Sequence, residues 1–257
     1  MKKLAQCISS IALIISFINA QNATIAQNTI NSQNIKITQN TQTQGLDSKE
    51  VEALYIQRAQ KEPRTPCKRK FCPQDKEELK ALVRDISVHL SDIDTSAITD
   101  MSGLFYDEVG NKAVEIRTNY KGIEFWDTSS VRDMSRMFAY ASSFNEPIGR
   151  WNVANVKTMR EMFLNAINFN QALNLWNVAA VEDMRGMFCY ALAFNQPLDK
   201  WNVRNALQMG TMFEGAKAFN QPLDKWQPLS ATDIGADMFV ASPLEFKPPK
   251  WYKDKVR

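Results

Sequence analysis

The chain has 257 residues, with 31 lysines and arginines against 28 aspartates and glutamates, a net charge of +3. So small an excess gives no electrostatic reason to expect a nucleic-acid partner or an anionic membrane surface. One histidine, nine glycines without a phosphate-loop pattern and no nucleophile motif argue against an enzyme, and no cofactor is expected.

In chain order, residues 1–20 read as a secretory signal peptide. Lys2-Lys3 is the charged start, Leu4 to Ile18 is largely apolar, and Ile18-Asn19-Ala20 offers the cut. Cleavage after Ala26 is the alternative. The apolar stretch is short for a membrane span, and Cys7 lies inside it, so no lipidated cysteine is expected. Removing Lys2 and Lys3 leaves 29 − 28 = +1. The expected location is secreted or on the bacterial cell surface. Residues 21–45 hold one charge, Lys36, among Asn, Gln, Thr and Ser; such a segment buries too little to order itself and reads as a linker.

Residues 46–105 read as a helical N-terminal cap followed by a first, degenerate repeat. A helix is expected over 47–62, with Asp47 as cap, Val51, Leu54 and Tyr55 on one face, and Pro63 and Pro66 as stop. Cys67 and Cys72 are expected to close a small disulfide loop in an exported protein. A metal centre lacks further ligands, since His89 stands alone and Cys189 is distant. A C-x-x-C redox motif needs a shorter spacing. Arg64, Lys68, Arg69 and Lys70 read as a solvated loop, with polyanion binding as the sharper alternative. A second helix is expected from Gln74 to about His89, with Leu79, Leu82, Val83 and Ile86 on one face. His89 would be half-buried in it. Asp92-x-Asp94 is too little of a loop to argue for calcium.

The rest is dominated by a period. All six tryptophans, Trp126, Trp151, Trp176, Trp201, Trp226 and Trp251, stand 25 residues apart. Met134, Met159, Met184 and Met209 follow eight places after their Trp, and Phe138, Phe163, Phe188 and Phe213 follow at twelve. An alanine recurs at Ala141, Ala166, Ala191, Ala216 and Ala241, then Phe-Asn pairs ending in Asn145, Asn170, Asn195 and Asn220. Such a period means stacked units, because one unit alone cannot offset the entropy of ordering its own backbone. The expected fold is an α/β repeat solenoid over 106–251, about six coils. Met-x-x-Met-Phe-x-x-Ala reads as a short helix or tight 3-10 turn, and Asn-Gln-Pro-Leu-x-x-Trp-Asn-Val as a turn and a short parallel strand.

The unit W-N-V-x-N-V-x-x-M-x-x-M-F-x-x-A-x-x-F-N-Q-P-L-x-x-W resembles the repeat of BspA-like leucine-rich-repeat surface proteins of bacteria, over roughly 72–251. The resemblance implies a secreted or surface-displayed, non-enzymatic solenoid, some members of the family being credited with binding host matrix proteins. It transfers no catalytic or binding residues.

Asp94-Thr-Ser recurs as Asp127-Thr-Ser 33 residues later. The first coil therefore carries about eight extra residues within Tyr106–Lys121. Asp107, Glu108, Gly110 and Asn111 read there as a hairpin or loop tip, a candidate contact site. In the last unit Pro228 replaces Val, Ile234 replaces Met and Met238-Phe239 comes one residue late. Pro243, Pro248 and Pro249 withhold backbone donors, so this unit reads as a C-terminal cap, with 252–257 as a tail.

Two polar columns are candidates for function. Asn145, Asn170, Asn195 and Asn220 read as a buried structural ladder, surface ligand contacts being the alternative. Arg150, Lys200, Lys225 and Lys250 precede their tryptophans, with Leu175 breaking the row. With Asp199 and Asp224 beside them they read as a solvated face, or else as a stripe gripping an acidic or sulfated partner. Cys189 shares a column with Ala139, Leu164 and Glu214 and carries no sign of chemistry. The function expected is recognition of a protein or glycan ligand, the alternative a structural spacer or coat component. Nothing in the sequence fixes the ligand or the oligomeric state.

Overall fold

In the computed structural model the described residues are 67–109 and 112–256, with side chains left aside at 108–114. The expected signal, linker and first helix, and Arg64, lie outside them. The described chain forms one compact unit.

Helix α1, Lys76–Arg84, opens on Asp75, whose carboxylate accepts the Glu78 N–H at 2.8 Å. Leu79, Leu82 and Val83 are fully buried. The helix stops well short of the expected His89. The Asp85 side chain instead takes the N–H and hydroxyl of Ser87, at 2.9 and 2.6 Å, and this local turn outcompetes another helical turn. Ile86, expected on the buried face, is consequently 79% exposed. His89, expected half-buried, is exposed ahead of a 3-10 turn at Leu90–Asp92.

Five 25-residue units follow, counted from each Trp: unit 1 is 126–150 and unit 5 is 226–250. Consecutive units touch through single parallel bridges, Asp100↔Asp133, Asp133↔Thr158, Thr158↔Asp183, Asp183↔Gln208 and Gln208↔Asp233. Beyond each bridge the backbone alternates its bonds. The N–H groups of Met134, Arg136, Phe138 and Tyr140 donate across to Thr158, Arg160, Met162 and Leu164 of the next unit, at 3.0, 2.8, 2.9 and 2.6 Å. Those of Met137, Ala139 and Ala141 donate back three residues, to Met134, Arg136 and Phe138. Every second donor thus builds a turn and every other one joins neighbours.

Of the two expected forms, short helix or tight 3-10 turn, this alternation leaves the tight turn, closed by bonds back over three residues. A continuous helix would keep all its donors within one unit. The structure breaks it with left-handed residues at Arg136 and Tyr140, Glu161 and Asn165, Gly186 and Tyr190, Thr211 and Gly215. The expected strand at Trp-Asn-Val is absent too. The carboxamides of Asn152, Asn177 and Asn202 accept the N–H two residues on, at 3.1, 3.2 and 3.3 Å, which bends the chain into a turn. Among the described residues the strands are β1, Tyr106–Val109, and β2, Lys112–Glu115. They form an antiparallel hairpin with Val109 opposite Lys112, located inside the expected insertion.

The interior is an aromatic stack. Phe138 and Phe144 lie face to face at 3.8 Å within one unit. Phe163, Phe188 and Phe213 repeat at 5.5 Å between units, and Trp176, Trp201 and Trp226 at 6.5 and 6.2 Å. Each indole N–H has a carbonyl: Trp151 donates to Ile123, Trp176 to Ile148, Trp201 to Leu173, Trp226 to Leu198 and Trp251 to Leu223, at 2.8 to 3.1 Å. The column therefore buries its rings as far as Trp226, with Trp251 half-buried at the end, without stranding a donor.

Both ends are covered. At the first, Arg117 is buried and donates to the Val83 and Val88 carbonyls at 3.2 and 3.0 Å, tying the hairpin base to α1. Glu115 accepts from Tyr120, from Ser142 and from the Ser143 N–H, each at 3.0 Å. At the other end the expected tail is helix α2, Lys250–Lys255. Tyr252 packs edge-on against Phe239 at 4.9 Å and donates to the Gly235 carbonyl at 3.1 Å.

Candidate functional site

With the interior columns committed to stacking, the chemistry available to a partner stands on the outside. Three surfaces offer such chemistry, and the first two carry the polar columns singled out by sequence.

The first is the row before the tryptophans. Arg150, Lys200, Lys225 and Lys250 are all exposed, but the row is less basic than they suggest. Lys225 reaches Asp199 at 2.9 Å, and Asn174 donates to the same carboxylate at 2.9 Å. The Lys225 ammonium, helped by Asn174, holds the Asp199 carboxyl below the usual range. Leu175, which seemed to interrupt a stripe, is 79% exposed, and Phe125, in the same column, is 60% exposed. The row thus reads Phe, Arg, Leu, Lys, Lys, Lys, with apolar and basic groups alternating in its first four places. Phe125 escaped notice because it precedes the first full unit, although the same 25-residue spacing reaches it.

The second is the Asn column. Asn145 Oδ1 accepts the Asn170 N–H at 2.9 Å, Asn170 Oδ1 the Asn195 N–H at 3.0 Å, and Asn195 Oδ1 the Asn220 N–H at 2.9 Å. Gln171, Gln196 and Gln221 add bonds to the preceding Asn. The ladder runs between units, but it is not buried as expected. Asn145 and Asn220 are exposed, Asn170 and Asn195 half-buried. The Phe before each Asn takes the interior place, which turns the amide outward.

The third is the outer side of the turns. Arg136 and Arg160 share Glu161 at 2.5 and 3.1 Å, Lys157 meets Glu182 at 2.9 Å, and Arg185 meets Asp183 at 2.7 Å. Burial works against the Glu161 carboxylate, but Arg136 and then Arg160 hold it below the ordinary range. Toward unit 5 the surface dips into a shallow recess lined by Arg185, Gly210, Thr211, Asp233, Gly235 and Asp237, among others. A Cβ added at Gly210 would lie 3.5 and 3.7 Å from the two Asp233 carboxylate oxygens and 3.8 Å from Asp237 Oδ1. Two carboxylates therefore lean over a floor without side chains.

Cys67 and Cys72 form a disulfide with Cα atoms 5.8 Å apart. Asp94 lies beside the two sulfurs, which as a disulfide offer no thiolate pair to a metal. Burial acts against the Asp94 carboxylate, but the bonds from Ser96 and the Lys68 N–H keep it below its ordinary range. Arg69, expected in a solvated loop, instead clamps that loop, donating to the carbonyls of Ser91 at 2.5 Å and Phe125 at 2.7 Å. Asp107 of the hairpin is bound to Arg84 at 2.5 Å, while Gly110 and Asn111 at its tip lie outside the described residues. Cys189 is buried, and burial, with Glu214 adding to it, pushes its thiol up to about 12, the opposite of what a nucleophilic thiolate needs.

Residues 111–226, from the hairpin through Trp226, match the model of a family described as "Mycoplasma protein of unknown function, DUF285". No curated protein and no solved structure matches the chain.

Proposed function

We propose that this chain is a non-catalytic recognition protein of the BspA-like leucine-rich-repeat kind, exported or displayed at the bacterial cell surface. In this reading its stacked units hold a row of ligand-contacting side chains. The observation that supports the reading is the row before the tryptophans. Its side chains all face solvent and differ in kind over the first four places, while the Leu or Ile and Trp columns beside them are filled alike and buried as far as Trp226. Exposed Phe125 and Leu175 beside Arg150 and Lys200 suit a partner with apolar and acidic groups, an extended peptide segment of a protein before a bare sulfated glycan. Alternating apolar and cationic groups supply both buried area and orientation.

A second reading, a structural spacer without a specific ligand, draws on the uninterrupted Asn ladder and indole bonds, which favour a stiff rod. Titration against an immobilised panel of matrix proteins and sulfated glycans, at low and physiological salt, separates the two. Saturable binding to one component supports recognition. Absence of binding by folded protein favours the spacer.

A further inference from the structure

The outer side of the turns carries a charge gradient that neither the stacking nor the row before the tryptophans uses. Per unit, the turn segments hold Arg132, Asp133 and Arg136 (+1), then Lys157, Arg160 and Glu161 (+1). Unit 3 holds Glu182, Asp183 and Arg185 (−1), unit 4 Glu214 (−1), and unit 5 Asp233 and Asp237 (−2). The sign runs one way along the stack and changes before unit 3. Relief changes with it. The basic end presents long exposed side chains, Arg132, Arg136, Lys157 and Arg160. The acidic end is hollowed by Gly210 and Gly235 beneath Asp233 and Asp237. Arginines four apart, 132 and 136, have a counterpart in aspartates four apart, 233 and 237.

We propose that this face pairs with the same face of a second copy, antiparallel, about a two-fold axis over unit 3. Unit 1 of each copy then lies on unit 5 of the other and unit 2 on unit 4. In such a contact residue i meets j while j meets i. Turned end for end, the basic units 1 and 2 therefore meet the acidic units 5 and 4, and only unit 3, at −1, meets its like across the axis; a parallel pairing sets like charges together in every unit. The Arg132 and Arg136 side chains reach over the recess between Asp233 and Asp237, while Tyr190, 42% exposed in the middle unit, faces its own counterpart near the axis. Five units at the 5.5 to 5.8 Å spacing of their Phe rings offer a strip of roughly 500 Å² per copy, below the about 800 Å² of a stable pair. The pair is accordingly weak and governed by salt.

Sedimentation of the full chain over a concentration series tests this, with a charge exchange as its second arm. The expected result is a reversible monomer–dimer equilibrium that weakens at least roughly tenfold between about 50 and 500 mM salt. One variant carries Arg132→Asp and Arg136→Asp, the other Asp233→Arg and Asp237→Arg. Each alone sets like charges together and should be monomeric. Mixed, the two restore opposite charges at both ends and should form a heterodimer. Near-ultraviolet circular dichroism of the tryptophans verifies folding of each variant. A monomer at every concentration in low salt overturns the proposal. So does a dimer that both variants retain, or a mixture that stays monomeric although both variants are folded.

Discussion

Trp126 donates its indole N–H to the Leu90 carbonyl at 2.8 Å across 36 residues, while every later tryptophan makes the same bond across 28. The difference, 36 − 28 = 8, is the length of the insertion in the degenerate first repeat. Tyr106 and Glu115 face each other at the base of the hairpin, so deleting residues 107–114 removes eight residues and joins neighbouring positions. The shortened protein should unfold cooperatively, with a loss of about 1 kcal/mol or less from the Arg84–Asp107 pair. A non-cooperative thermal transition would show that the hairpin is needed to build the end of the stack.

Interior and exterior ladders should differ in their energetics. Phe188→Ala empties a site stacked on Phe163, Phe194 and Phe213 and should cost about 3–5 kcal/mol. Asn170→Ala removes the bonds that the Asn170 Oδ1 accepts from the Asn195 N–H and the Gln196 amide at a half-exposed place where water can replace them, and should cost about 1 kcal/mol. Urea unfolding of both variants gives the comparison; equal losses would contradict the division.

Thr211 holds φ at 55°, a region that β-branched residues strongly avoid. Asn tolerates it better, so Thr211→Asn should stabilise by about 0.5–1 kcal/mol. A fall in the urea midpoint would mean that the Thr211 hydroxyl bond to the Gly210 carbonyl, 2.8 Å, outweighs the backbone strain.

Cys189 should resist alkylation in the folded state at pH 8, because its thiol is buried and pushed up to about 12. Mass spectrometry after iodoacetamide treatment should show label there only once denaturant unfolds the stack. Rapid labelling of native protein would place the unit 3 turn in frequent local opening.

The interior was readable in the sequence because buried columns repeat: the period exposed the Trp, Met and Phe positions, and a break of 33 against 25 exposed the insertion. Local conformation was less legible. Met-x-x-Met-Phe-x-x-Ala has helical spacing, and nothing within one unit shows that alternate donors leave for the next. The Asn column showed its regularity but not its exposure, since a ladder between units repeats equally well inside or outside. Phe125 and the Asp233–Asp237 recess were hidden for another reason. Both depend on which residues differ between units, and a repeat draws attention to those that agree.

The claim that the row before the tryptophans is the recognition surface is tested most directly by Leu175→Asp. Leu175 supports nothing in the core, so the substitution should leave thermal stability within about 0.5 kcal/mol. Against whichever matrix component binds the parent saturably, the variant should lose at least tenfold in affinity, about 1.4 kcal/mol. Unchanged affinity in a folded variant would contradict the assignment of that row.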